Sequence, residues 1–253
     1  LDCLIQVDLD RRPAEERPAG IGARGGAQPT DVAALAERIA GSEEAFAGMM
    51  NREAERLGMK NSKFMNASGL PDPQHYATAR DLYLLATALI RDFPEQYATY
   101  YSQREYRYNG ITQLNRNRLL WLDSSVDGMK TGFTEAAGYC LVASAKRGPR
   151  RLLSVLLGST SEATRAQESQ KLLNWGFQFF DAVRLYEGGK PVKEIEVFKG
   201  AKSVLKAGFK GDLLVTVPKG QADKLKAELL SLSPVVAPVA EGGRVGNLRV
   251  TLD

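Results

Sequence analysis

The chain has 253 residues, 43% of them hydrophobic and 25% charged, with a formal net charge of +4 and a pI near 9.0. That is ordinary globular composition, enough for one large or two modest domains, and mild basicity suits an anionic partner or simply reflects a lysine excess at the surface. Scattered basic residues exclude a nucleic-acid footprint, no apolar run approaches the roughly 18 residues of a membrane span, and one histidine with two distant cysteines, Cys3 and Cys140, offers neither a disulfide framework nor a zinc ligand set.

Residues 1–30 form an arm rich in Arg, Pro, Gly and Ala with no apolar period, and the sequence predicts disorder there. From Asp31, a predicted N-cap, Val32, Leu35 and Ile39 share one helical face. Ser42 is predicted to cap a second helix, with Phe46, Met49, Met50 and Leu57 buried and Gly58 as its stop. Asn66 to Pro73 reads as a loop by its Gly, Pro and Asp punctuation. Thr78-Ala79-Arg80-Asp81 opens a third helix whose Leu82, Leu85, Ala86 and Leu89 form a stripe that ends before Pro94.

After residue 100 the period changes from helical to alternating. Tyr106 and Tyr108 alternate with Glu105 and Arg107 ahead of Asn109-Gly110, a strong hairpin signal. Met129–Thr134, Tyr139–Lys146 and Leu152–Leu157 read as strands, the last two joined by a turn at Arg147-Gly148-Pro149. Glu162 to Phe180 reads as a long helix whose Trp175, Phe177, Phe179 and Phe180 pack on the sheet. Short β-rich runs then follow at Ile195–Phe198, Leu213–Val217 and Arg249–Leu252, with Gln221–Leu230 as a possible helical insertion. The fold class is therefore α+β: a first domain over 31–183, with helices packed on an antiparallel sheet, followed by a small all-β domain over 184–253 that reads as incomplete.

The chemistry concentrates in Val126-Asp127-Gly128-Met129-Lys130-Thr131-Gly132. On an edge strand, the backbone can accept an extended peptide, Lys130 supplies positive charge, Thr131 can hydrogen-bond a carboxylate and Gly132 permits close approach. An exposed lysine in a turn is the plainer reading of the triplet alone. Cys140 lacks a neighbouring base and reads as a small buried residue on a core strand. His75, in a loop beside Tyr76, reads as a surface or packing residue.

Several further segments, in one order, carry a resemblance. They are Gly41–Phe46, Asn66–Leu70, Tyr76–Asp81, Gln113–Asn117 with Leu119-Leu120-Trp121, Val126–Gly132, Ala137–Tyr139 with Leu141–Ala145, and Leu172–Phe177. Over roughly residues 32–253 the chain resembles the low-molecular-mass penicillin-binding proteins, the serine-type D-alanyl-D-alanine carboxypeptidases. The resemblance implies a partial penicillin-binding-protein/β-lactamase-like transpeptidase domain and a serine that attacks the carbonyl between two terminal D-alanines, helped by a lysine one helical turn later. It implies that Lys130, Thr131 and Gly132 bind the substrate's terminal carboxylate. Arg116 and Arg165 align with arginines at the substrate end of the cleft, with structural ion pairing as the competing reading. The implied partners are the peptidoglycan stem peptide ending in D-Ala-D-Ala and β-lactam antibiotics, without nucleic acid, metal or cofactor.

The sequence departs from that pattern in three places. No credible Ser-x-x-K nucleophile motif is present, and the Ser-x-Asn motif would fall where the Arg/Pro/Gly-rich arm stands. A frameshift or displaced gene start would produce such a break. Phe133 and Cys140 stand where many relatives carry polar residues. The chain as given is therefore expected to be inactive, with a non-catalytic peptidoglycan-binding or scaffold module and a serine β-lactamase as alternatives; the β-rich tail argues against the latter. Periplasmic, inner-membrane-associated localisation follows from the resemblance alone, since no secretory signal or membrane anchor is evident in the sequence.

Overall fold

The structure, a computed structural model, describes residues 29–108 and 110–253. The arm of residues 1–28, with Cys3, and Asn109 of the hairpin turn lie outside the described residues. Two compact units divide between Leu173 and Asn174, whereas the sequence places its domain boundary after residue 183.

The first unit opens with α1 (Pro29–Ala40) and α2 (Glu43–Arg56). Helix α1 begins at Pro29, so Asp31 lies in its first turn instead of capping it; the fixed φ of proline suits the first helical position. In α2 the predicted cap is present: Ser42 Oγ accepts the Ala45 N–H at 3.0 Å. Gly58, at φ +80°, closes the helix in the left-handed region. The predicted buried face is corrected in part. Ala47 and Ala54 are buried, while Met49 is 44% exposed, because the helix buries its small residues.

Helices α3 (Ala79–Asp92) and α4 (Pro94–Tyr100) follow a loop that has its own internal bonds. Asn51 exchanges two hydrogen bonds with the backbone of Phe64, and Asn66 Oδ1 accepts the N–H groups of Gly69 and Leu70. Thr78 caps α3 through the Asp81 N–H. The buried Asp81 carboxylate then accepts the Asn61 N–H and the Ser62 hydroxyl, both at 2.8 Å. Strands β1 (Glu105–Tyr108) and β2 (Ile111–Leu114) pair as the predicted hairpin, with Gly110 at φ +78° in its turn. Helix α5 (Leu119–Leu122) buries Leu119 and Leu120.

The sheet consists of β3 (Val126–Thr134), β4 (Gly138–Arg147) and β5 (Arg150–Ser159), antiparallel in that order. Two ion-paired clusters fix where β3 begins. Arg147 reaches Asp123 at 2.9 Å and the Ser125 hydroxyl at 3.1 Å. Arg151 of β5 grips both oxygens of Asp127, at 2.7 and 2.8 Å, and also donates to Ser144 of β4. Tyr97 of α4 donates its hydroxyl to Asp127 at 3.0 Å and lies under the Arg151 guanidinium. Burial raises the Tyr97 phenol pKa well above its ordinary value, so the phenol stays protonated as a donor. A Cβ at Gly128 would collide with the Tyr97 hydroxyl, so glycine is required for this close approach.

Helix α6 (Glu162–Phe179) ends one residue before its predicted limit. Its first unit portion buries Ala166, Ser169 and Leu173. The expected aromatic packing is corrected: Phe177 is buried, but Trp175 and Phe179 are half exposed and meet at a tilt of 46°, Trp175 also meeting Phe180 edge-on. Helical spacing cannot bury four aromatics so closely placed on one face.

The second unit is built from β6 (Phe180–Tyr186), β7 (Pro191–Phe198), β8 (Val204–Gly208), β9 (Leu213–Pro218), β10 (Leu225–Ser231), β11 (Val235–Val236) and β12 (Gly246–Leu252). They pair as β6 with β9, β11-β7-β8, and β10 with β12, around buried Ile195, Val217 and Val235. The possible helix over Gln221–Leu230 is corrected to one 3-10 turn, Ala222–Lys224, leading into β10. The alternating Leu225, Ala227 and Leu229 satisfy a strand period once β12 supplies a partner.

The Asp127 cluster yields a measurable expectation. In urea denaturation, Asp127→Ala should cost about 2 kcal/mol, between the values for exposed and buried pairs, and Tyr97→Phe about 1 kcal/mol. The Asp127→Ala/Arg151→Ala double variant should cost less than the sum of its single variants, because each single change strands the other charge. Strict additivity would contradict the coupling.

Candidate functional site

Strand β3 is the outer strand of its sheet, and its register sets Lys130 opposite Val142, Thr131 opposite Leu141 and Gly132 opposite Cys140. An outer strand leaves backbone groups on one side for an added peptide. A cavity of about 690 Å³ runs along it, walled by α1, α3 and the sheet through residues such as Val32, Leu82, Leu85 and Leu141. Lys130 is the charged side chain in this otherwise mostly apolar lining, which also includes Thr131, Gly132 and Cys140.

Lys130 is exposed on β3, and its ammonium donates to the Thr131 carbonyl at 2.6 Å. Lost hydration pushes the Lys130 pKa below its ordinary value, and the neighbouring Arg116 and Arg165 cations push it further. Arg165 is 3% exposed, with its guanidinium donating to the Arg116 carbonyl at 3.3 Å and lying 5.6 Å from the centroid of the Tyr139 ring. Glu162, one turn earlier on α6, is 4.0 Å from Arg165, so that arginine combines an ion-pair contact with its place beside Lys130. The five sequence-predicted residues are thus brought together: three cations, one hydroxyl and one open glycine. Such a cluster is suited to a carboxylate.

Other expectations fare differently. Cys140 is on a sheet strand as expected, but it is half-buried and lines the cavity instead of sitting in the core, its thiol directed to the Ala137 and Gly138 carbonyls. His75 packs edge-on against Phe64, with burial lowering its pKa, and it is not part of the cavity lining. The sequence's one Ser-x-x-K spacing, Ser203-Val204-Leu205-Lys206, runs into β8 of the second unit. Residues three apart on a strand face opposite ways, so it cannot act as a serine–lysine pair. Sequence reasoning missed the role of Tyr139, whose ring supports Arg165. The signal was its place opposite Phe133 across the turn, legible only once the register is known.

A family profile described as D-alanyl-D-alanine carboxypeptidase matches residues 29–161, and one described as the C-terminal domain of penicillin-binding protein 5 matches residues 180–253. The chain is 45% identical over 222 residues to the D-alanyl-D-alanine carboxypeptidase DacC of Escherichia coli (strain K12), which covers 87% of this chain and 55% of the relative. It spans little more than half the length of the curated relatives it matches. Among solved structures, penicillin-binding protein 5 from Haemophilus influenzae superposes with a TM-score of 0.77 at 40% identity, covering 92% of this chain and 68% of that one. Penicillin-binding protein D2 from Listeria monocytogenes, in its cefotaxime-bound form, gives 0.54 at 33% identity over 59% of this chain and 61% of that one.

The lysine makes a pH prediction. Affinity for a small carboxylate such as N-acetylglycine, followed by chemical-shift titration, should fall as pH rises through a midpoint below 10.5, the ordinary lysine value. A lowered folded-state pKa also means that the unfolded chain holds this proton longer, so the local cost to stability is relieved between that midpoint and 10.5. Lys130→Met should therefore remove the carboxylate response without lowering thermal stability at neutral pH. A midpoint unchanged in that variant would contradict the assignment.

Proposed function

The chain belongs to the D-alanyl-D-alanine carboxypeptidase family, and on that premise we propose that it forms the substrate-binding wall of a serine-type carboxypeptidase of peptidoglycan maturation. The observation that carries this reading is the convergence of Lys130, Arg116 and Arg165 beside Thr131 and Gly132 at a sheet edge. In the parent reaction, a serine attacks the carbonyl between the two terminal D-alanines, D-alanine leaves, and water hydrolyses the acyl-enzyme. Here the stem peptide adds along β3, its terminal carboxylate facing Lys130 and Thr131 with the arginines behind. Gly132 lets the peptide backbone close on the strand, and an amide just past it contributes to the oxyanion hole.

The nucleophile is the part this chain does not supply. Its single Ser-x-x-K spacing runs from a bend into a β-strand, and the mostly apolar cavity lining is the kind of surface a facing helix would bury. The 253-residue chain therefore binds peptide and β-lactam carboxylates without being acylated, which also accommodates a non-catalytic wall-binding role. Periplasmic placement, with the membrane association expected of the family, accompanies this reading.

Two measurements on the purified chain test it. Diacetyl-L-Lys-D-Ala-D-Ala should bind saturably by calorimetry, its C-terminal amide at least tenfold more weakly, and Lys130→Ala should abolish the difference. Intact mass after incubation with benzylpenicillin should be unchanged. Equal binding of acid and amide would overturn the carboxylate assignment, and a stable penicilloyl adduct would overturn the claim that the chain lacks a nucleophile.

A further inference from the structure

Phe133 is a large aromatic left 46% exposed directly after the Lys-Thr-Gly run. It faces Tyr139 in the β3–β4 register, with ring centroids 4.3 Å apart and planes tilted by 35°. Tyr139 in turn lies beneath the Arg165 guanidinium. An aromatic step thus leads from solvent, through Phe133 and Tyr139, to the three-cation cluster.

Residues two apart on a strand share a face, so Phe133 lies on the same side of β3 as Thr131, roughly 7 Å further along. Gly132 places no side chain between them, and even a Cβ there would meet only the Cys140 Cβ, at 3.8 Å. A carboxylate held at Thr131 therefore has its own α-carbon substituent within one side-chain length of the Phe133 ring. The ring is apolar and already half desolvated by Tyr139, so covering the remainder favours an apolar substituent over a polar one of the same shape.

We propose that Phe133, packed against Tyr139, forms an apolar subsite that selects the side chain of the ligand residue bearing the terminal carboxylate. The proposal rests on the carboxylate-binding reading of Lys130 and Thr131 and adds a specificity determinant to it. Phe133 does not touch the bond to be broken. It ranks the C-terminal residues that the wall accepts, with D-leucine above its polar near-isostere D-asparagine.

The test is calorimetric titration of the full chain with diacetyl-L-Lys-D-Ala-D-Xaa acids, where Xaa is Ala, Leu or Asn. The wild-type chain should prefer D-Leu to D-Asn by about fivefold, from partial burial of an aliphatic side chain. Phe133→Ser should bring that ratio to about one, and Phe133→Leu should retain part of the preference. Intermolecular NOEs from the ligand's leucine methyls to the Phe133 ring are expected in the wild-type chain whatever the folding of the variants. No preference in the wild-type chain, a preference that survives in Phe133→Ser, or NOEs confined to other rings would each overturn the subsite. If none of the acids binds, the carboxylate reading falls and the subsite with it; if they bind without Phe133-dependent ranking, only the subsite falls.

Discussion

The pairing of β3 with β4 is the constraint on which the site depends. A strand slipped by one residue would turn Lys130, Thr131 and Phe133 to the opposite face and separate Phe133 from Tyr139. That register is clamped at its start by Asp127, which three elements hold at once: Tyr97 from α4, Arg151 from β5 and its own strand. Asp123, with Arg147 and Ser125, fixes the turn just before it. Hydrogen-bonded and part-buried, these charges specify geometry more than they add stability. They are spent upstream of the triplet, where a small shift would be carried into the site.

The site itself works against stability. The Arg116 and Arg165 cations act on Lys130 beside a mostly apolar cavity, and Glu162 meets Arg165 at the limit of ion-pair distance. Like charges placed close together cost stability, and an anion that binds only the folded chain stabilises it by mass action. Arg165 shows how the fold tolerates the arrangement: its guanidinium is buried against an aromatic ring, donates to a backbone carbonyl and keeps a long ion-pair contact with Glu162.

Much of this was legible in the residues. The caps at Ser42 and Thr78, the stop at Gly58 and the three sheet strands follow from local chemistry that tertiary contacts did not need to override. The sequence also singles out the triplet and both arginines as candidates, although not their proximity, which depends on α6 crossing near a segment 49 residues earlier. Local reasoning failed where burial is decided by distant partners. Met49 stays exposed, the aromatics of α6 are split between inside and outside, and Leu225–Ser231 becomes a strand only because β12 pairs with it. Cys140 was misjudged for the same reason: alternation placed it on a strand, but only the third dimension shows that this part of β4 borders a cavity.

The central claim is that the edge of β3, with its three cations, receives the terminal carboxylate of a D-Ala-D-Ala peptide. A crystal structure of the chain bound to diacetyl-L-Lys-D-Ala-D-Ala tests it most directly. The account predicts the peptide running along β3, with its carboxylate on the Lys130 ammonium and the Thr131 hydroxyl and its last methyl toward Phe133. A peptide bound elsewhere, or lying on β3 with its carboxylate pointing away from Lys130, would contradict it.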